Sequence, residues 1–201
     1  MDRTEIRDLV VSWIVISVAF SIAFSGLSVL DYAGSGKLPL DAFLQFIPIA
    51  LIVTGTGFIL HELAHKYSAI HYGHQAEFRA WPNGLIFAIV LPIIAGFVFA
   101  APGATYVHGE NIDDRKNAII SLVGPLTNIA IGALFLIALI ALGGSTQGFW
   151  SQTAWVGMQV NLFLALFNML PIYPLDGSKV WAWKKSVWAI VFLPLLWVLF
   201  F

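Results

Sequence analysis

The sequence predicts an all-α polytopic membrane protein: about five transmembrane helices, a re-entrant segment and a small membrane-associated β element, in one domain over residues 1–201. Three observations lead there. The first is composition, since 59% of the residues are hydrophobic and only 10% are charged, whereas soluble domains carry about 25% charged residues. The mean hydropathy is +0.86. The second is distribution, because the apolar residues arrive in runs, five of which reach or approach the ~20 residues that carry a helix across a bilayer. The third is the placement of the basic residues, which decides how those runs are threaded.

The charged start, Met1 to Asp8, leads into a run that ends near Leu30. It is too long for a signal-peptide core and shows no small-residue cleavage site, so it reads as a retained peripheral helix, about 9–30. A polar loop with Gly34, Gly36 and Pro39 follows. The second run, about 43–67, supplies a core helix over 45–67. A polar stretch from His71 to Pro82 comes next, then an apolar segment, 85–101, interrupted by Pro92 and Gly96. The mixture of aromatic, β-branched and Gly/Pro residues over 99–109 predicts extended chain. After a charged loop, 111–116, the second core helix runs over about 117–142 and ends at Gly143-Gly144. The third occupies about 154–176, its regular part stopping at Pro171 and Pro174. A last peripheral helix covers about 186–201.

The ten Lys and Arg residues choose between two threadings. If 85–101 crosses the membrane, Arg3, Arg7, Lys66 and Arg79 share one side and the other six share the opposite one, which specifies nothing. If it dips in and returns, Arg3, Arg7, Lys66, Arg79, Arg115, Lys116, Lys179, Lys184 and Lys185 lie inside and only Lys37 outside. Nine against one is the bias expected of cytoplasmic loops, and Pro92 and Gly96 sit where a hairpin would bend. The expected location is therefore the cell membrane, multi-pass, with the N-terminus and the opening of any site cytoplasmic. Trp150 and Trp155 then flank one interface, and Trp81, Trp181 and Trp183 the other, as a headgroup belt does.

No basic block or acidic tail points to nucleic acid. Cysteine is absent, so disulfides and thiolate ligands are excluded, and any metal is held by nitrogen and oxygen. The motif that invites a metal is His61-Glu62-Leu63-Ala64-His65. Positions four apart share a helix face, so His61 and His65 can present two imidazoles to one ion. Glu62, rotated about 100°, is off that face and placed to take a proton from a water on the metal. Ionisable groups within a spanning helix cost about 2.5–3.5 kcal/mol each at the centre and are functional by default; the bland alternative is a snorkelling polar cluster. A catalytic zinc needs a third protein ligand. Asp176 is the candidate, in a stretch that Pro171 and Pro174 keep from being a regular helix. Its competing role is the N-cap of a helix starting near Ser178.

The His61–His65 motif, Gly124-Pro125-Leu126-Thr127-Asn128 at the start of a later helix, and Asn168 to Gly177 occur in one order over roughly residues 45–185. In this the sequence resembles the site-2 protease family of intramembrane zinc metalloproteases. The resemblance implies one zinc ion on His61, His65 and Asp176, Glu62 as catalytic base, and catalytic Asn168 holding and polarising the substrate carbonyl. It also implies regulated cleavage of a transmembrane protein substrate in or beside the lipid bilayer. There is no room for a PDZ insertion between Asn128 and Asn161, nor for a C-terminal regulatory domain, so the expectation is a short form. The segment 101–107 resembles the family's membrane-embedded β-structure, whose edge can pair with an unwound substrate.

Other residues carry plainer readings. Asn128, with Gly124 and Pro125, suits close helix packing with a bridging amide better than direct catalysis. Gly55 and Gly57 suit close helix approach. His71, His74 and Glu77 suit a solvated loop better than a second metal site, and His108 is open between substrate contact and interfacial water. Two other functions share parts of the pattern. A metal transporter or sensor would use the same ligands but has no need of Glu62. A catalytically silent helix-binding relative would need a broken motif, and the motif is whole.

Overall fold

The computed structural model describes residues 1–109 and 112–201, so Asn111, the first residue of the expected charged loop, lies outside the described residues. The chain is mostly helical: α1 (Arg3–Ser25), α2 (Val29–Ser35), α3 (Leu40–Thr54), a π-helical turn (Gly55–Ile59), α4 (Leu60–His71), β1 (Gln75–Ala80), α5 (Pro82–Ala95), β2 (Gly103–His108), α6 (Asp114–Ala141), α7 (Phe149–Asn168), α8 (Asp176–Trp183) and α9 (Lys185–Phe200). Among the described residues, three stretches are long and apolar enough to cross a membrane, namely Arg3–Ser35, Leu40–His71 and Asp114–Ala141. Their outward residues are what a bilayer accepts and water does not: on α6, Leu134, Ile137 and Ile140 are 65%, 62% and 66% exposed. The chain divides into two compact units, Met1–Gly55 with Phe78–Ala104, and Thr56–Glu77 with Thr105–Phe201.

In the first unit, α1 begins where the Asp2 carboxylate accepts from Glu5 N at 2.6 Å, a side-chain N-cap. It packs against α3 and α5, and α2 packs against α5. Polar groups join α1 to α3: Ser17 Oγ lies 2.6 Å from Thr54 Oγ1, and Trp13 Nε1 donates to Leu51 O at 3.0 Å. Gly55 makes room for that indole, since a Cβ there would lie 3.1 Å from Trp13 Nε1. The acidic residues of the first turns meet the outer edge of β1. Phe78 N donates to Glu5 Oε1 and Ala80 N to Asp8 Oδ2, each at 3.2 Å.

The second unit is built around α6, which packs against α4, α7 and α8, while α9 packs against α7 and α8. Asp113 caps α6 by accepting from Lys116 N at 2.7 Å. Small residues let the helices close up, as at Gly157, where a Cβ would meet the Phe135 ring, and at Gly132 against Leu162. Ala165, Leu166 and Leu195 form an apolar core between α7 and α9.

Several expected boundaries move. The first helix ends at Ser25 rather than near 30, because Gly26 takes a left-handed conformation at φ 70°. The segment 85–101 is not interrupted at Pro92. Helix α5 starts earlier, at Pro82, carries Pro92 inside it, and ends at left-handed Gly96. Its ends come back together, for Trp81 N donates to Pro102 O at 2.9 Å. The loop expected over 71–82 contains β1, paired with β2 in a two-stranded sheet. The helix expected over 154–176 is two helices, since α7 stops at Asn168 and Asp176 opens α8. Pro171 and Pro174 lie between them, where neither can supply a helical N–H.

Candidate metal centre

Every residue of the candidate site belongs to the second unit. His61 and His65, one turn apart on α4, place their Nε2 atoms 2.9 Å from each other, with the rings nearly perpendicular at 84°. The Asp176 Oδ2 atom lies 3.1 Å from His65 Nε2 and 3.4 Å from His61 Nε2. All three side chains are buried, and among the described residues they form the one group of three His, Asp or Glu side chains whose ligand atoms lie within 4.8 Å of one another.

The hydrogen bonds behind the rings determine what the rings present in front. His65 Nδ1 lies 2.7 Å from Ile120 O. A carbonyl only accepts, so Nδ1 carries the hydrogen. His61 Nδ1 lies 2.5 Å from Asn128 Oδ1. The orientation of that amide follows from its other end, where Asn128 Nδ2 donates to Gly57 O at 3.2 Å and to Asn161 Oδ1 at 3.0 Å. Asn161 in turn donates from Nδ2 to Gly157 O at 2.8 Å, leaving its Oδ1 as acceptor. Both imidazoles therefore keep their hydrogen on Nδ1 and turn the Nε2 lone pair inward.

Three lone-pair atoms thus converge within 2.9–3.4 Å. Such a set repels itself unless a cation lies between its members. The residues fit zinc: bonds of about 2.0–2.2 Å in tetrahedral array imply ligand separations of about 3.3 Å. Two His and one Asp are the donor number and type of catalytic zinc sites, which keep a fourth position open, rather than of structural ones. Gly124 gives the rings their room. A Cβ there would stand 2.7 Å from His61 Cε1 and would also overlap the His65 ring.

Asp176 is held by the turn before it. It is the first residue of α8, and no side chain caps that helix, so the N-cap role is not the one it takes. Gly177 lies against the Met169 carbonyl, where a Cβ would overlap backbone. Trp188 Nε1 donates to the same carbonyl at 2.7 Å, and Ser178 Oγ donates to Leu175 O at 2.7 Å. The second Asp176 oxygen, Oδ1, faces Lys179 Nζ at 3.5 Å.

Glu62, 7% exposed, sits off the ligand face of α4, and its Oε2 accepts from Thr105 Oγ1 of β2 at 2.8 Å. Asn168, at the C-terminal end of α7, donates from Nδ2 to Leu164 O of its own helix at 3.0 Å. His108 and Glu77 face each other at 3.6 Å on the exposed side of the sheet.

Sequence reasoning did not single out Thr105, the Ile120 carbonyl or Asn161, and it read Asn128 as packing. Asn161 had a legible signal, an amide within an apolar helix. Thr105 and the Ile120 carbonyl had none, because a threonine in a strand and a backbone carbonyl look alike everywhere. Gly57 does lie close to a neighbour, as a Cβ there would stand 2.7 Å from Asn161 Oδ1.

Known proteins are similar to this chain in sequence. MJ0611 of Methanocaldococcus jannaschii is 40% identical over 194 residues, which is 96% of this chain and 92% of that one. YwhC of Bacillus subtilis is 30% identical over 159 residues, 70% of this chain and 73% of its own. Rip3 of Mycobacterium tuberculosis is 31% identical over 132 residues, 63% of this chain but 29% of its own. All three are named as zinc metalloproteases, an activity their names give as provisional. No family model and no solved structure matches the chain. The likeness to MJ0611 runs through nearly the whole of both chains, both histidines and Asp176 included in its span, and the chain belongs to the site-2 protease-like family of zinc metalloproteases, in its short form.

Proposed function

We propose that this protein is an intramembrane zinc endopeptidase that hydrolyses peptide bonds of membrane-anchored substrates within or next to the bilayer. The observation that carries the reading is the convergence of His61, His65 and Asp176 beside Glu62, at the end of an apolar helical stretch long enough to span the membrane. His61, His65 and Asp176 would hold one zinc ion. The chemistry such an ion supplies when bound is Lewis-acid polarisation of a carbonyl and acidification of water.

The remaining work falls to the chain's own residues. Glu62, free of the ligand face, takes a proton from the attacking water and returns it to the departing amine. Asn168 supplies an amide donor to the oxygen of the scissile carbonyl, once its side chain leaves Leu164 O. That donor lowers the barrier because negative charge develops there. The substrate must be locally unwound, since a helical peptide bond is shielded by its own hydrogen bonds. The free edge of β2 suits an extended segment. Water reaches the buried site by a polar path from the cytoplasmic face.

The proposed topology is five spans with α5 re-entrant, and the N-terminus cytoplasmic. Two observations support it. Residues 81 and 102 are hydrogen-bonded to each other, so the intervening chain leaves and returns at one level. Helix α5, at 14 residues, reaches about 21 Å, short of a ~30 Å hydrocarbon core.

Two experiments test these readings. Glu62→Gln should retain zinc and lose cleavage of a model transmembrane peptide; undiminished cleavage would reject Glu62 as base. Because the chain has no cysteine, Arg115→Cys provides a single thiol. It should react with an impermeant reagent from the cytoplasmic side, and labelling from outside reverses the topology.

A further inference from the structure

We propose that Thr105 is a positioning residue for Glu62, one that ties the open edge of the sheet to the base. The inference rests on the reading of Glu62 as base and goes beyond it by naming what aims that base and what the aiming responds to.

Three observations carry it. First, the Thr105 hydroxyl has one hydrogen, and Glu62 Oε2 is its nearest acceptor, at 2.8 Å, against 3.3 Å for Glu62 O. A donor fixed on one carboxylate oxygen orients the group and leaves Oε1 as the atom to receive a proton. Second, the strand register turns the Thr105 main chain outward. Trp81 N bonds Pro102 O, and Gly103 lies opposite Ala80, whose Cα would stand 3.0 Å from a Cβ on that glycine. Along an antiparallel ladder alternate residues face the partner strand. Residues 102, 104, 106 and 108 therefore turn to β1, while 103, 105 and 107 present N–H and C=O to the outer edge. Third, the other edge is taken. The β1 amides of Phe78 and Ala80 are spent on Glu5 and Asp8, so among the described residues the sheet offers an edge only along β2.

Thr105 thus has two functions in one residue. Its main chain is where an extended peptide would add to the sheet, and its side chain grips the base. A peptide seated on this edge restricts Thr105 φ and ψ, and with them the hydroxyl. Occupancy of the edge and alignment of Glu62 are coupled through a single Cα–Cβ bond, with no movement of the helices needed.

The test uses Thr105→Val, which keeps the shape and removes the donor, and Thr105→Ser, which restores it. The probe is a fluorogenic single-span peptide cleaved by the wild-type protein in detergent micelles. Thr105→Val should lower kcat about 10- to 100-fold, no more than the ~100-fold lower end of what a general base contributes, because the base is misaimed and not removed, with KM changed by less than about twofold because the edge N–H and C=O remain. Thr105→Ser should recover kcat to within a few-fold. Zinc content and melting temperature should match wild type in both, which separates positioning from folding. An unchanged kcat in Thr105→Val, a loss confined to KM, or a loss that Thr105→Ser does not rescue would each overturn the proposal. Glu62→Gln is measured alongside. If that variant still cleaves, the base reading itself has failed; if it is inactive while Thr105→Val is normal, only the present inference has.

Discussion

Replacing Gly124 by Ala puts one methyl group against both histidine rings of the site. The new Cβ would stand 2.7 Å from His61 Cε1, whereas carbon atoms in comfortable contact are about 3.5–4.0 Å apart. The imidazole must retreat by about 0.8 Å or more, several times the ~0.2 Å by which metal–ligand distances vary. The His65 ring is met by the same methyl, so both nitrogen ligands are displaced together. The helix itself gains, since Ala exceeds Gly in helix propensity by about 0.8–1.0 kcal/mol. A loss therefore comes from the contact and not from the backbone. Zinc affinity should fall at least about tenfold, as it does when ligand orientation is lost, and kcat/KM about 100-fold, the cost of a ~1 Å misplacement. Competition against a chromophoric chelator reads the first, and cleavage of a model transmembrane peptide the second. Stoichiometric zinc of wild-type affinity with undiminished cleavage would refute the claim that these rings form the ligand face.

Asn128→Leu removes the acceptor from His61 Nδ1 and the donor from Gly57 O and Asn161 Oδ1; zinc affinity should drop about 10- to 100-fold, measured by the same competition, while His65, oriented by Ile120 O, keeps its tautomer. Asp176→Ala should abolish stoichiometric zinc in elemental analysis, because two imidazoles alone make an incomplete set. A pH effect is expected at the N-terminus, where the Glu5 N–H and then the Arg79 guanidinium hold the Asp2 carboxyl below its ordinary range. Its contribution is present above the ordinary carboxylate pKa of ~3.9 and fades as pH falls through the lowered folded value. Asp2→Asn should accordingly melt lower than wild type near neutral pH, with the difference closing in strong acid; thermal scans across pH decide it.

Much of the fold class was legible in one dimension because the bilayer imposes length and polarity on each helix separately. The runs that became α1, α3 with α4, and α6 could be counted without knowing their neighbours. The His61–His65 pair was legible for the same reason, since helical spacing alone puts two rings on one face. Boundaries were less so. Gly26 and the pair Pro171 and Pro174 act locally, yet where a helix stops also depended on what it packs against. Pro92 shows this, continuing a helix where a break was expected.

The sequence by itself determined the solvent of this protein, the residue types available to bind a metal, and the pairing of the two histidines, because those follow from composition and from a 3.6-residue period. Only the tertiary structure decided that Asp176 joins them, that Asn128 and Ile120 O choose the tautomers, and that Thr105 grips Glu62. Those relations link residues 43 to 115 positions apart, as Glu62 to Thr105 and His61 to Asp176 are. No local periodicity encodes such a distance; it is set when α6 packs against both α4 and α8 and Thr105 comes to lie beside Glu62.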